Sequence, residues 1–177
     1  MDAFETLGLP PRLTLGDDEI GAAFRTAGKR HHPDSGGDPA AFETVQKAGQ
    51  TLLDPGARLR HWLELRGVPG ELRGEVSSKL MDGFSEVGEL LQRADALSRE
   101  RDKASSALAK AMLEGRTQTC RDELETMIDR LEGMIAERVG RFDAVERGEA
   151  DGWTVARELG FLSKWRGQVR ERFAALW

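Results

Sequence analysis

The 177-residue chain has one cysteine, no tyrosine and no proline beyond residue 69. A single thiol, Cys120, cannot close an internal disulfide, and structural zinc or an iron–sulfur cluster would need several ligands of that kind. A lone cysteine fits a reducing, intracellular setting. Apolar runs extend only a few residues, far short of a bilayer span. The opening MDAFETLGLP is acidic from its second residue and lacks the basic-then-apolar order of a signal peptide. A basic excess is missing too. Lys+Arg number 26 against 31 Asp+Glu, a formal charge of −5, which argues against nucleic acid as the main partner. The expectation is a cytoplasmic protein with neither a membrane nor a nucleic acid as partner.

Strand signals are also scarce. No stretch alternates apolar and polar residues, and β-branched residues do not cluster. What is present is helical periodicity, almost throughout. With 32% charged residues, 39% hydrophobic residues and a mean hydropathy of −0.50, the fold class read from the sequence is all-α. The texture changes once. Residues 1 to about 70 hold all six prolines and all three histidines, whereas the remainder reads as long amphipathic helices. Pro69-Gly70 is a turn dipeptide. The expected domains are therefore 1–68 and 75–177, with 69–74 as linker.

The first region divides at its breakers. A short helix over Asp2–Leu9 stops at Pro10-Pro11. A second runs from an N-cap at Asp17 or Asp18 to about His31, with Ile20, Ala23, Phe24 and Ala27 as its apolar stripe. At about 100° per residue, Arg25 and Lys29 fall opposite that stripe and Arg30 at its flank. Residues 32–39 form a loop, because a proline disfavours helix at the residue before it. A third helix begins with Pro39 and carries Phe42, Val45, Ala48 and Leu52. A fourth piece covers Arg58–Arg66.

In the second region the spacing predicts three helices. The first carries Leu80, Phe84, Val87, Leu91, Ala94, Leu97 and Leu108. The second carries Leu124, Ile128, Leu131, Ile135, Val139 and Phe142. The third carries Val155, Leu159, Leu162, Val169, Phe173 and Leu176. Short loops near 113–118 and 147–152 make them antiparallel neighbours in a bundle. Gly83, Gly88, Gly133 and Gly140 fall inside these helices, as close helix contacts or as marginal positions. Met81 lies off the first stripe, and Phe161 lies about 100° from the centre of the third. Apolar side chains off a core stripe are candidates for an exposed interface.

His32-Pro33-Asp34 follows a helix with a basic outer face and precedes a second, antiparallel helix. With Phe4, Leu7-Gly8-Leu9, the stripe Phe24, Phe42, Val45, Ala48 and Leu52, and Leu52-Leu53-Asp54-Pro55 followed by Arg58, this region resembles a J domain. The resemblance continues along the chain toward the HscB type of co-chaperone. Ala48-Gly49-Gln50-Thr51-Leu52 through Trp62-Leu63-Glu64-Leu65-Arg66-Gly67 is similar to that family's junction. Leu80-Met81-Asp82-Gly83-Phe84 and Phe161-Leu162-Ser163-Lys164-Trp165-Arg166 resemble its client-binding segments. The sequence departs from the family pattern at His31, where tyrosine is usual, at Gly49, where an aromatic is common, and at Ser85 and Gly88, which replace acidic positions.

The resemblance implies an N-terminal J domain, an antiparallel helical hairpin, joined to a C-terminal three-helix bundle. It implies no enzyme activity and no cofactor in this chain. The expected partner is a DnaK/HscA-type chaperone ATPase, met by Arg25, Lys29, Arg30, His32, Pro33 and Asp34. The expected client is an iron–sulfur scaffold of the IscU type, held by Leu80, Met81, Phe84 and Phe161. A J-domain protein with a different client, and an interaction protein with a degenerate J domain, are the alternatives. An enzyme ranks third, because no base–nucleophile or carboxylate pair stands out. His31 and His32 are adjacent and so do not chelate as an i, i+4 pair does, and no metal is expected. Trp62 is read as packing at the domain junction. Trp153, Trp165 and Trp177 receive no role.

Overall fold

In a computed structural model, caps and breakers set the helices of the first 66 residues. The structure describes the backbone of all 177 residues and the side chains of all but Ser35, Lys79 and Asp82. Helix α1 (Ala3–Leu7) starts at Asp2, whose carboxylate accepts from the Phe4 and Glu5 amides, and stops at Gly8. Helix α2 (Asp17–His31) starts one residue before the expected cap, at Gly16. No side chain caps it. Asp17, Asp18 and Glu19 instead occupy its first turn, where carboxylates meet the positive end of the helix. Pro33–Ser35 forms one 3₁₀ turn. Helix α3 (Pro39–Leu53) is capped by Asp38. Helix α4 (Pro55–Leu65) starts three residues earlier than the spacing predicts, because Asp54 accepts from the Ala57 amide and Pro55 takes the first helical position.

Helices α5 (Ser78–Lys103), α6 (Ala107–Val139), α7 (Phe142–Glu146) and α8 (Gly152–Ala175) complete the chain. No strand occurs among the described residues. The turn between α5 and α6 lies at 104–106, not at 113–118. Gly115 does not break α6, since an isolated helical glycine costs only about 1 kcal/mol. Leu108 therefore belongs to α6, not to the α5 stripe, and is 73% exposed. Gly140 is in a turn, with Phe142 beyond it on α7. Gly88 and Gly133 face open space.

The chain divides into two compact units. The first joins Met1–Gly74 to Arg138–Gly160. In it, the interior of the N-terminal segment is closed by residues from the far end of the chain. Phe142, Val145 and Leu159 are all buried. A β-carbon at Gly56 would lie 3.2 Å from Leu159 Cβ, and one at Gly152 would lie 2.7 Å from Leu63 Cδ2. The 69–74 segment is fastened rather than free. Trp153 Nε1 donates to the Val68 carbonyl at 3.1 Å, and the Arg157 guanidinium donates to the carbonyls of Glu71, Leu72 and Arg73. Arg138 and Glu158, both buried, pair at 3.1 Å.

Arg58 is the largest polar side chain in that interior, 2% exposed. It donates to the Leu15 carbonyl at 3.0 Å, approaches Asp17 at 3.5 Å and lies over the Phe142 ring at 5.6 Å. Burial pushes its pKa down, against the pull of Asp17 and Asp54. These contacts tie α4 to the start of α2. Trp62 Nε1 adds a bond to the Pro11 carbonyl, and His61 Nε2 accepts from the Ala3 amide while stacking on Phe4. Trp62 is thus interior to this unit.

The second unit joins Glu75–Glu137 to Phe161–Trp177. Three ion pairs link α5 to α6: Glu86 with Arg130, Arg93 with Glu123 and Glu100 with Arg116. Each step is seven residues up one helix and seven down the other, so the two helices are antiparallel in one register. Asp95–Arg172 ties α5 to α8, and Glu132–Arg170 ties α6 to α8. The interior is apolar: Leu80, Val87, Leu90, Ala94 and Leu97 of α5 face Leu124 and Leu131 of α6 and Leu162 and Val169 of α8. Phe84 is not part of that seam. At 57% exposed it stands outside, while Gly83 occupies the seam position, 3.9 Å by its added β-carbon from the Trp165 ring. Leu90 takes the interior place expected for Leu91.

Arg58 makes a specific expectation. Arg58→Ala should lower stability by about 2–4 kcal/mol in urea unfolding, from lost packing and an unpaired Leu15 carbonyl. Arg58→Met should cost less, because it fills the volume with no charge to desolvate.

Candidate functional site

The His32-Pro33-Asp34 corner is built by a proline and two glycines. His32 is extended (φ −63°, ψ 132°), as a residue before proline must be. The single 3₁₀ turn that follows ends at Gly36, with φ 77° and its amide on the Pro33 carbonyl at 2.9 Å. That left-handed conformation suits glycine. Gly37 then bonds back to the His32 carbonyl at 3.1 Å, so close to α2 that a β-carbon would lie 2.8 Å from His31 Cα. Asp38 caps α3 directly afterwards. The corner is therefore only seven residues long, 32–38, and both ends are held by helices.

His32 Nδ1 accepts from the Asp34 amide at 3.2 Å, with the Asp34 carboxylate 3.7 Å away. The imidazole meets the Phe42 ring edge-on, with centroids 5.1 Å apart. An accepting Nδ1 places the proton of the neutral ring on Nε2, which has no partner among the described residues. The His32 side chain is 45% exposed and that of Asp34 90% exposed. The corner thus offers one outward N–H donor and one carboxylate acceptor at fixed separation.

Arg25, Lys29 and Arg30 are exposed on α2, and none has a carboxylate within ion-pair distance among the described residues. Beside them runs an open groove between α2 and α3, floored by Phe24, Gly28 and Phe42, with Arg25, Lys29 and His32 along its rim. The chain-specific Gly49 shapes it. A β-carbon there would lie 2.6 Å from Phe24 Cε2, so the Phe24 ring covers the place where an aromatic is common.

The second candidate lies wholly in the other unit. Met81, Phe84 and Phe161 are 54%, 57% and 42% exposed. Leu80 is 1% exposed and belongs to the interior beneath them. Trp165, to which the sequence assigns no role, meets both Phe84 and Phe161, at ring-centroid distances of 5.9 and 6.2 Å. Its signal was present as the i, i+4 spacing from Phe161, which places two side chains on one face of a helix. Ser85 is exposed beside Phe84, and Gly88 adds nothing. Gly37 is a second residue whose part spacing does not predict, and its close approach to His31 reveals it.

No His, Cys, Asp or Glu group among the described residues is arranged to hold a metal ion. Cys120 is buried, and that burial together with Glu123 pushes its thiol pKa up, which keeps it protonated and unreactive. No described helix is long and apolar enough to cross a membrane.

Known proteins resemble this chain in sequence and in fold. The DnaJ domain family matches residues 2–61. The rice protein named chaperone protein dnaJ A6 (Oryza sativa subsp. japonica) is 42% identical over 55 residues, 31% of this chain and 13% of that protein. The chain thus spans about an eighth of the length of this plant relative. A co-chaperone protein HscB homolog of Vibrio vulnificus is 33% identical over 119 residues, covering 62% of this chain and 68% of the relative. The solved structure of chaperone HscB from Vibrio cholerae shares the fold, with a TM-score of 0.56 at 23% identity, over 97% of this chain and 96% of that one. An N-terminal DnaJ domain followed by a helical bundle, in a chain that matches 68% of the length of an HscB homolog at 33% identity, leaves one conclusion: the protein belongs to the HscB family of J-domain co-chaperones.

Proposed function

We propose that this co-chaperone stimulates the ATPase of a DnaK/HscA-type heat-shock chaperone and delivers to it an iron–sulfur scaffold of the IscU type. The observation that carries the reading is the corner itself: a donor and an acceptor at an exposed tip, beside three cations that have no carboxylate partner among the described residues. Unpaired cations on one helix face steer an acidic partner surface into contact, an effect that weakens with salt. The groove beside them accepts an apolar side chain of the partner. His32 Nε2 and the Asp34 carboxylate then bond to the chaperone. Stimulation follows because these bonds favour one of its states over another, and only such differential contact shifts an equilibrium. The chain supplies no catalytic group to the hydrolysis. It acts in the cytoplasm.

The client face is Met81, Phe84 and Phe161, with Leu80 buried beneath. Three exposed apolar side chains on one surface favour a protein partner over solvent. The scaffold reading also draws on the name of the Vibrio vulnificus relative, since HscB co-chaperones serve iron–sulfur assembly. Ser85 and Gly88, uncharged where the family is acidic, make apolar contact the larger part of client binding here.

Three outcomes test the reading on the full chain. His32→Gln should return the ATPase of the cognate chaperone to its unstimulated rate in a steady-state assay, with the helical circular dichroism signal unchanged. Stimulation equal to wild type would refute the corner's role. Gly37→Ala should also lower stimulation, since a methyl group there meets the His31 backbone and forces the corner to shift. Met81→Ala combined with Phe161→Ala should abolish scaffold binding in calorimetry and leave stimulation intact. Unchanged scaffold affinity would remove the client assignment.

A further inference from the structure

We infer that Trp165 is the positioning residue of the client face: its buried ring joins Phe84 of α5 and Phe161 of α8 into one aromatic surface, so that the two helices act on a client together. The inference rests on the client reading above. Trp165 is only 6% exposed, whereas Phe84 and Phe161 both reach the surface. The tryptophan ring is inclined at 51° to Phe84 and 44° to Phe161. Tilted aromatic pairs with centroids about 4.5–7 Å apart attract one another beyond simple burial. The two exposed rings make no ring contact with each other, so Trp165 is the link between them.

The local sequence makes this link. Phe161 and Trp165 are one helical turn apart on α8. On α5 the interior seam passes through Gly83, where an added β-carbon would lie 3.9 Å from the Trp165 ring, so the glycine leaves room for the indole beside the helix. Phe84, the next residue, then rests on the indole from outside. A leucine at 165 would fill part of the interior but would not reach both phenylalanines. Each phenylalanine is thereby held near one orientation before a client arrives. Ordering a side chain at an interface opposes binding, so prior ordering favours it.

The test has one arm without a client and one with it. The full chain is labelled with 5-fluorotryptophan, and the Trp165 fluorine signal is identified by its loss in W165F. F84L and F161L should each move that signal and leave those of Trp62, Trp153 and Trp177 in place. If neither moves it, the link does not exist. In calorimetric titration with the IscU-type scaffold, F84A and F161A should each weaken binding about tenfold. The double variant should lose less than the product of the two losses, by about threefold or more. That non-additivity should vanish in a W165L background, or shrink in W165F should W165L fail to fold. If each single variant weakens binding but the losses multiply in both backgrounds, Trp165 has no positioning role while the client face stands. A wild-type chain that does not bind the scaffold, or binds it equally without either phenylalanine, overturns the client reading and this inference with it.

Discussion

The close approach of α2 to α3 at Gly49 governs where the His32-Pro33-Asp34 corner points. Only seven residues join these helices, and each end of the corner is bound into a helix. The corner therefore has no orientation of its own. It inherits one from how near the two helices lie, and that distance is set where the Phe24 ring covers Gly49. A side chain at 49 would meet that ring, so that the ring or the helices would have to shift. The same packing leaves Phe24, Gly28 and Phe42 as the floor of the groove, and Phe42 meets the His32 imidazole edge-on. Ring, groove and corner are thus consequences of a single contact.

A second constraint acts from the other end of the chain. Arg58 draws the Leu15 carbonyl and Asp17 onto α4, which fixes the start of α2. Its guanidinium would be expensive to bury without those partners and the Phe142 ring above it. Phe142 lies more than seventy residues further on, and Leu159, which covers Gly56, further still. Residues 1–68 therefore do not close their own interior. The segment that follows is equally committed, with three consecutive carbonyls held by Arg157. What reads along the chain as a domain and a linker is, in packing, one unit completed by residues 138–160.

Local chemistry was legible in the sequence, and long-range chemistry was not. The break after His31, the Pro39 start of α3 and the all-α class follow from proline geometry, capping residues and periodicity, all of which act within a few residues. The J-domain segment was recognisable from its motif, and the match over residues 2–61 agrees. The α5–α6 turn lies at 104–106 and not near 113–118, and the register of three seven-residue-spaced ion pairs shows a helix running straight through the expected loop. Spacing places Phe84 on the interior stripe, four residues after Leu80, whereas the family resemblance places it on the client face. The seam instead steps by three, to Gly83, since the space there is filled by Trp165 from another helix. A periodicity rule counts the side chains of one helix and has no access to a ring supplied by its neighbour.

The outward position of Phe84 bears on how the surface is used. Had it turned into the seam, it would have buried the rest of its ring, a gain of about 1–2 kcal/mol for folding. The fold forgoes that gain and keeps the ring at the surface beside Met81, with Phe161 also exposed. Scattered exposed apolar residues need no explanation. Two rings that share contact with one buried indole are a different matter, because their arrangement is fixed by the interior and not by solvent. The hydrophobic free energy left unused in folding remains available when a partner covers the rings. The ion pairs of the bundle are exposed and contribute to register more than to stability. Burial of the seam thus holds α5 and α8 in place beneath the surface they share.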